Sequence, residues 1–144
     1  MRPNIVFITE NGLARGGKFN GYVAIPPEHP MYGLHYDVLN ALDISVHGGL
    51  TYGRKAGTLD WRNQPANTDD YWIFGFDTVH CDDTAEMWPP EKVMNEAVRL
   101  AEQIQTLPPL TKAQKIVAKM IGRDLISSWC FSYAVEFLEK ELKP

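Results

Sequence analysis

The sequence predicts an α+β fold: a mixed, mainly antiparallel sheet with C-terminal helices packed on one face. Three observations predict it. Short β-branched and aromatic runs punctuated by glycine and proline dominate the chain up to Phe76. After Pro89-Pro90, apolar residues recur at helical spacing instead. The 144 residues are 44% hydrophobic and 22% charged, enough for one core and unlike a disordered chain. A single domain over 1–144 is expected, with a motif-bearing α+β region at about 1–106 and a helical extension at about 110–144.

Taken in order, Ile5 to Ile8 is a continuous apolar run and predicts a strand covered on both faces. Asn11-Gly12 and Gly16-Gly17 break the chain, and Phe19 to Ile25 forms a second strand stopped by Pro26-Pro27, since proline donates no ladder hydrogen bond. The pair reads as an antiparallel hairpin. Tyr36 to Leu42 suggests a helical turn. Asp43 to Val46 reads as a third strand, interrupted by Gly48-Gly49 and resumed at Leu50 to Tyr52. Gly53 to Asp70 is a long polar loop, of the length that usually carries function or mobility. Tyr71 to Phe76 has the composition of a central strand, with Gly75 marking a bulge or a close backbone approach.

Pro89-Pro90 open a helix whose inner face is Val93, Ala97, Leu100, Ala101 and Ile104. Pro108-Pro109 end it. Thr111 and Gln114 have capping-box spacing for a second helix with the stripe Ile116, Val117, Met120 and Ile121. A last helix, from about Asp124 to Leu142, is expected to bury Leu125, Trp129, Tyr133, Phe137 and Leu138.

The net charge of −4, without a dense basic run, argues against duplex nucleic acid as a partner. No segment approaches the ~20 apolar residues that cross a bilayer, and the run at Ile5 to Ile8 is too short for a signal peptide. Cys81 and Cys130 form no CxxC pair. A cytosolic protein without a membrane partner is the expectation.

Gly12 to Lys18 has phosphate-loop spacing, GxxxxGK, but Phe19 stands where a hydroxyl should meet magnesium, and strand follows where a helix should begin. A hairpin loop explains these residues better. His47-Gly48-Gly49-Leu50-Thr51 offers an imidazole beside backbone amides that glycines can aim at a ligand, or else a tight turn with a satisfied histidine. Asp77, His80 and Asp83 follow the central strand, where polar groups can line a pocket. Local capping by the aspartates is the competing reading.

His29 and Tyr32, in the stiff Pro26 to Gly33 loop, are further ligand-binding candidates, against a packed turn; His35 is another weak one. Trp61, Trp72 and Trp88 have rings that stack on bases or sugars; against that, Trp72 reads as core and the other two as cover for loops. Cys81 has acidic neighbours that work against a thiolate nucleophile.

Three ordered segments together resemble small proteins encoded by bacteriophages and prophages. They are Asn20 to Pro26 with His29 to Gly33, Val46 to Tyr52, and Tyr71 to Asp77 with His80 and Asp83. The similarity covers roughly residues 20–105, with Asp82 standing where a glycine is expected. The resemblance implies a phage setting, in the cytoplasm of a host cell, and supplies no reaction.

The reading that follows is a phage accessory protein, of an anti-defence kind, with a small polar pocket. His47, Asp77, His80 and Asp83 are the candidate catalytic residues; Gly48, Gly49, Thr51, His29 and Tyr32 are the candidate ligand contacts. The ligand expected is nucleotide-like, bound and hydrolysed by proton transfer or metal-assisted water attack. No cofactor is called for; a divalent metal fits two histidines and two carboxylates, but no HExxH pair is present. The competing readings are a module that inhibits a host protein through its surface, and a sponge that binds a ligand without turnover.

Overall fold

The computed structural model describes residues 1–57 and 64–143. Among the described residues, four strands and four α-helices follow one another as β1 (Ile5–Glu10), β2 (Phe19–Ile25), α1 (Tyr36–Ala41), β3 (Tyr52–Lys55), β4 (Trp72–Phe76), α2 (Pro90–Thr106), α3 (Lys112–Gly122) and α4 (Phe131–Glu141). The strands form one sheet in the order β1-β2-β4-β3, and every neighbouring pair is antiparallel. Among the described residues no parallel pair occurs, so the sheet is wholly antiparallel rather than mixed. No helix among them is long and apolar enough to cross a membrane.

Strand alternation divides the sheet into two faces. Val23, Ile25, Phe74 and Phe76 point to one face, where α2 lays Val93, Ala97, Leu100 and Ile104, all buried. Phe7, Tyr22, Ala24 and Ile73 form a smaller cluster on the other face. In the centre, Gly21 pairs with Phe76 and Tyr22 with Gly75. Each ring lies over the opposite glycine: a Cβ on Gly75 would stand 2.4 Å from the Tyr22 ring, and one on Gly21 2.5 Å from the Phe76 ring. Gly75 therefore marks a close approach, and the ladder runs through it without a bulge.

The GxxxxGK segment is the β1–β2 hairpin loop, and Lys18 Nζ donates to the Leu13 carbonyl, 3.0 Å away. The expected third strand at Asp43–Val46 does not form. Asp43 takes a positive φ of 65°. The Ser45 amide donates to Gln103 Oε1 at 2.8 Å, and Gln103 Nε2 donates back to the Ser45 carbonyl at 2.8 Å. Gln103 of α2 thus takes up the Ser45 backbone, Ile44 N donates to Leu39 O and Val46 O accepts from Gly49 N, so no strand partner is used, while Ile44 and Val46 insert into the core. β3 begins at Tyr52 and occupies the start of what the sequence suggested was a long loop; Trp61 lies outside the described residues.

α3 starts with the expected reciprocal cap: Gln114 N donates to Thr111 Oγ1 and Thr111 N to Gln114 Oε1. With α4, it packs against α1 through Val38, Val117, Ile121, Phe131 and Val135. The C-terminal stripe is out of phase with expectation. Leu125, Trp129, Tyr133 and Phe137 are 64%, 76%, 77% and 63% exposed. Asp124 turns at φ 55°, a short 3₁₀ segment spans Ser128–Cys130, and α4 begins only at Phe131. That break places Phe131 and Val135 inward, with Leu138 partly buried beside them, and leaves the aromatic row in solvent.

Candidate functional site

β3 and β4 are antiparallel, so the residues entering β3 lie beside those leaving β4. Thr51 N donates to Gly75 O at 3.0 Å and closes this end of the pair. The topology thereby brings His47 to the loop of Asp77–Asp83. The two imidazoles meet edge to face, ring centroids 4.9 Å apart.

Asp83 is the centre of the cluster. Its Oδ2 lies 2.8 Å from His47 Nε2 and 3.0 Å from His80 Nδ1, and it accepts from the His80 amide at 2.9 Å. Its Oδ1 accepts from Trp88 Nε1 at 3.1 Å. The Asp83 side chain is only 5% exposed, against 26% for His47 and 37% for His80. Burial alone would raise the Asp83 carboxyl, but the hydrogen bonds from His47 and His80 outweigh it and hold the group at about 2. It is an ionised carboxylate aimed at two imidazoles. One nitrogen from each imidazole and one carboxylate oxygen all lie within 4.8 Å of one another, a constellation able to hold a metal ion.

The surroundings fix His47 on several sides. Its amide donates to Glu96 Oε1 at 2.9 Å, and Glu96 is in turn held by Arg99 at 2.6 Å. Burial raises the Glu96 carboxyl, but the Arg99 bond and the His47 amide bring it below its ordinary value. The Trp88 ring stands 4.2 Å from the His47 ring, and Lys92 Nζ lies 4.2 Å over the Trp88 indole.

Gly48 and Gly49 have positive φ, 68° and 78°. They do not present a row of free amides. Gly49 N donates to Val46 O, Leu50 N to Asn40 Oδ1 and Thr51 N to Gly75 O. The phosphate-cradling role expected of this loop therefore has little to act through, because most of its donors are already bonded. What Gly48 supplies is room: the His80 ring occupies the space a side chain there would need.

Asp77 stands at the edge of the cluster. Its Oδ1 lies 3.7 Å from His80 Nδ1 and accepts from Val79 N at 3.1 Å, while its Oδ2 accepts from Thr51 Oγ1 at 3.0 Å. The local capping role and a place beside the histidines coexist in this residue.

His29 and Tyr32 are not brought to this cluster. Tyr32 packs on Trp72 and its hydroxyl donates to Asp70 O at 2.7 Å, at the start of β4. Asp77 follows the other end of β4, about 17 Å away at the usual rise per strand residue. His29 is buried, its Nδ1 accepts from Met31 N at 3.1 Å, and burial holds its pKa below the ordinary value. It serves the Pro26–Gly33 turn. His35 caps α1 by accepting from Asp37 N.

Sequence reasoning missed Trp88 and Glu96 as parts of this site. Glu96 carries one faint signal: it stands three residues after Val93 and four before Leu100, on the buried edge of α2, where an unpaired carboxylate is costly. Compared with known protein-family profiles, with characterised proteins and with solved structures, the chain finds no match.

Proposed function

We propose that His47, His80 and Asp83 bind a divalent transition-metal ion, and that the protein uses it to bind and hydrolyse a small polar ligand. The single observation carrying this reading is the convergence of one ring nitrogen each from His47 and His80 with an Asp83 carboxylate oxygen, all within 4.8 Å of one another. Ligand atoms around a tetrahedral zinc are roughly 3.3 Å apart, from its usual bond lengths. The 2.8 and 3.0 Å separations at Asp83 Oδ2 need to widen by only a few tenths of an ångström.

The protonation fits. A metal replaces the N–H protons now directed at Asp83, and each imidazole then carries its proton on the other ring nitrogen. Trp88 Nε1 and the His80 amide keep donating to the carboxylate, the supporting contacts that ligating carboxylates use. With three protein ligands the site would leave a position open for water or substrate, and a divalent ion held there would supply Lewis acidity for hydrolysis near neutral pH. Asp77 stands beside His80, its Oδ1 3.7 Å from Nδ1, and would add a second carboxylate near the open position. A ligand with a phosphate or carbonyl oxygen suits the open position, and nucleotides remain the first class to try. The phage setting suggested by the three motifs belongs to this proposal too.

The test is metal analysis and calorimetric titration of tag-free protein with zinc and manganese, followed by chromatography of a nucleotide panel. Near-stoichiometric binding that disappears in His47→Ala and Asp83→Asn, with metal-dependent turnover, supports the reading. Absence of both binding and thermal stabilisation leaves Asp83 as a fastening that four N–H groups hold between two loops.

A further inference from the structure

We infer that the groove beside α3 docks an acidic amphipathic peptide segment of a protein partner. The groove has a volume of about 710 Å³ and lies between α3, the linker before it and the Pro30–Leu34 loop. Its apolar surface comes from Leu34, Leu110 and Ala118 with flanking prolines, and its rim carries Lys115, Lys119 and Arg123. Acidic residues outnumber basic ones 18 to 14 in the chain, yet no carboxylate lines this groove. Among the described residues, no ion pair or side-chain hydrogen bond holds any of the three cations.

Their spacing says what fits. Lys115 and Lys119 are i, i+4 neighbours on α3 and Arg123 is the residue that caps its C-terminus, so the charges run along about 12 Å of the helix and its end. A row of that kind matches carboxylates spread along a peptide better than one compact anion, which needs donors that converge. An apolar floor beneath the row accepts leucine-like side chains, as in helix-in-groove recognition. No aromatic ring lines the groove, which removes the stacking that single-stranded nucleic acid uses.

The experiment is selection of 12-residue peptides from a displayed library against the full-length protein, with counter-selection against Lys115→Glu/Lys119→Glu. Both lysines are exposed, and an unchanged melting curve verifies that the variant is folded. The expected result is enrichment of sequences with acidic residues three or four apart and apolar residues between them. Synthetic copies should bind the wild type at least about tenfold more tightly than the double variant, and more weakly as salt rises. Failure to enrich any such sequence, or equal binding to the variant, overturns the inference. So does tighter binding of a twelve-residue oligothymidylate than of any peptide.

Discussion

The His80 imidazole fills the space over Gly48: a Cβ built on that glycine would stand 2.1 Å from Cε1 and Nε2 of the ring. Gly48 also has a φ of 68°, which L side chains rarely adopt. Gly48→Ala therefore meets strain and collision together. We expect it to cost ~1–3 kcal/mol by chemical denaturation and to drive His80 off Asp83. Gly49→Ala is the informative control, because its nearest contact is Asn40 at 3.5 Å. It should strain the backbone and leave the His80 ring resonances unchanged by NMR, whereas Gly48→Ala should move them.

Removing the Asp83 carboxylate leaves the Trp88 indole and the His80 amide without their acceptor. Asp83→Ala is expected to lose on the order of 3 kcal/mol, since unsatisfied buried donors carry their full desolvation cost. Urea unfolding followed by Trp fluorescence measures it. A loss under 0.5 kcal/mol, the range of neutral surface changes, would mean the hub contributes nothing to stability.

Acid should expose the same residue. The folded-state pKa of Asp83 is depressed to about 2, so its contribution is fully present above the ordinary carboxylate range near 4 and is lost as pH falls through about 2. The stability gap between wild type and Asp83→Asn should narrow over that window. Glu28, bonded to Arg2, is also held at about 2 and titrates in the same range. Repeating the comparison in a Glu28→Gln background separates the two.

The C-terminal helix offers a contrast between two rows of large residues. Phe131→Ala should cost ~3–5 kcal/mol, because Phe131 is 3% exposed in the cluster with Val117 and Ile121. Trp129→Ser and Tyr133→Ser should each stay within about 0.5 kcal/mol of wild type, because both rings are in solvent. Thermal melts of the three variants decide which row faces the core.

The contrast shows what the sequence could and could not convey. α2 was legible, since Val93, Ala97, Leu100 and Ile104 recur at helical spacing on its buried side and prolines mark both ends, with Val98 the exposed exception. α4 carries two apolar rows, and periodicity cannot choose between them; the turn at Asp124 makes the choice. The strand read at Asp43–Val46 failed for a related reason. Its apolar alternation is real, but Gln103, fifty-eight residues away, takes up the Ser45 backbone. In the candidate site, His47 and Asp77–Asp83 could be picked out as polar groups following strand runs, but the β3–β4 pairing that joins them could not, because most of β3 reads as loop. The identity of Asp83 as the hub could not, because its role depends on Trp88 and on a loop path that local pattern does not encode.

The separation of His47 from Asp83 by 36 positions also bears on how the molecule is made. The constellation does not exist in any short stretch of chain. It requires β4 to lie against β3, and Glu96 on α2 to hold the His47 amide. A nascent chain shorter than about 96 residues plus the length hidden in the ribosome has the right residues and no site. Any ion or ligand that the cluster were to bind would thereby be withheld from growing polypeptides and from proteolytic stubs. Only a chain whose sheet and first long helix have both emerged and docked brings the three residues together.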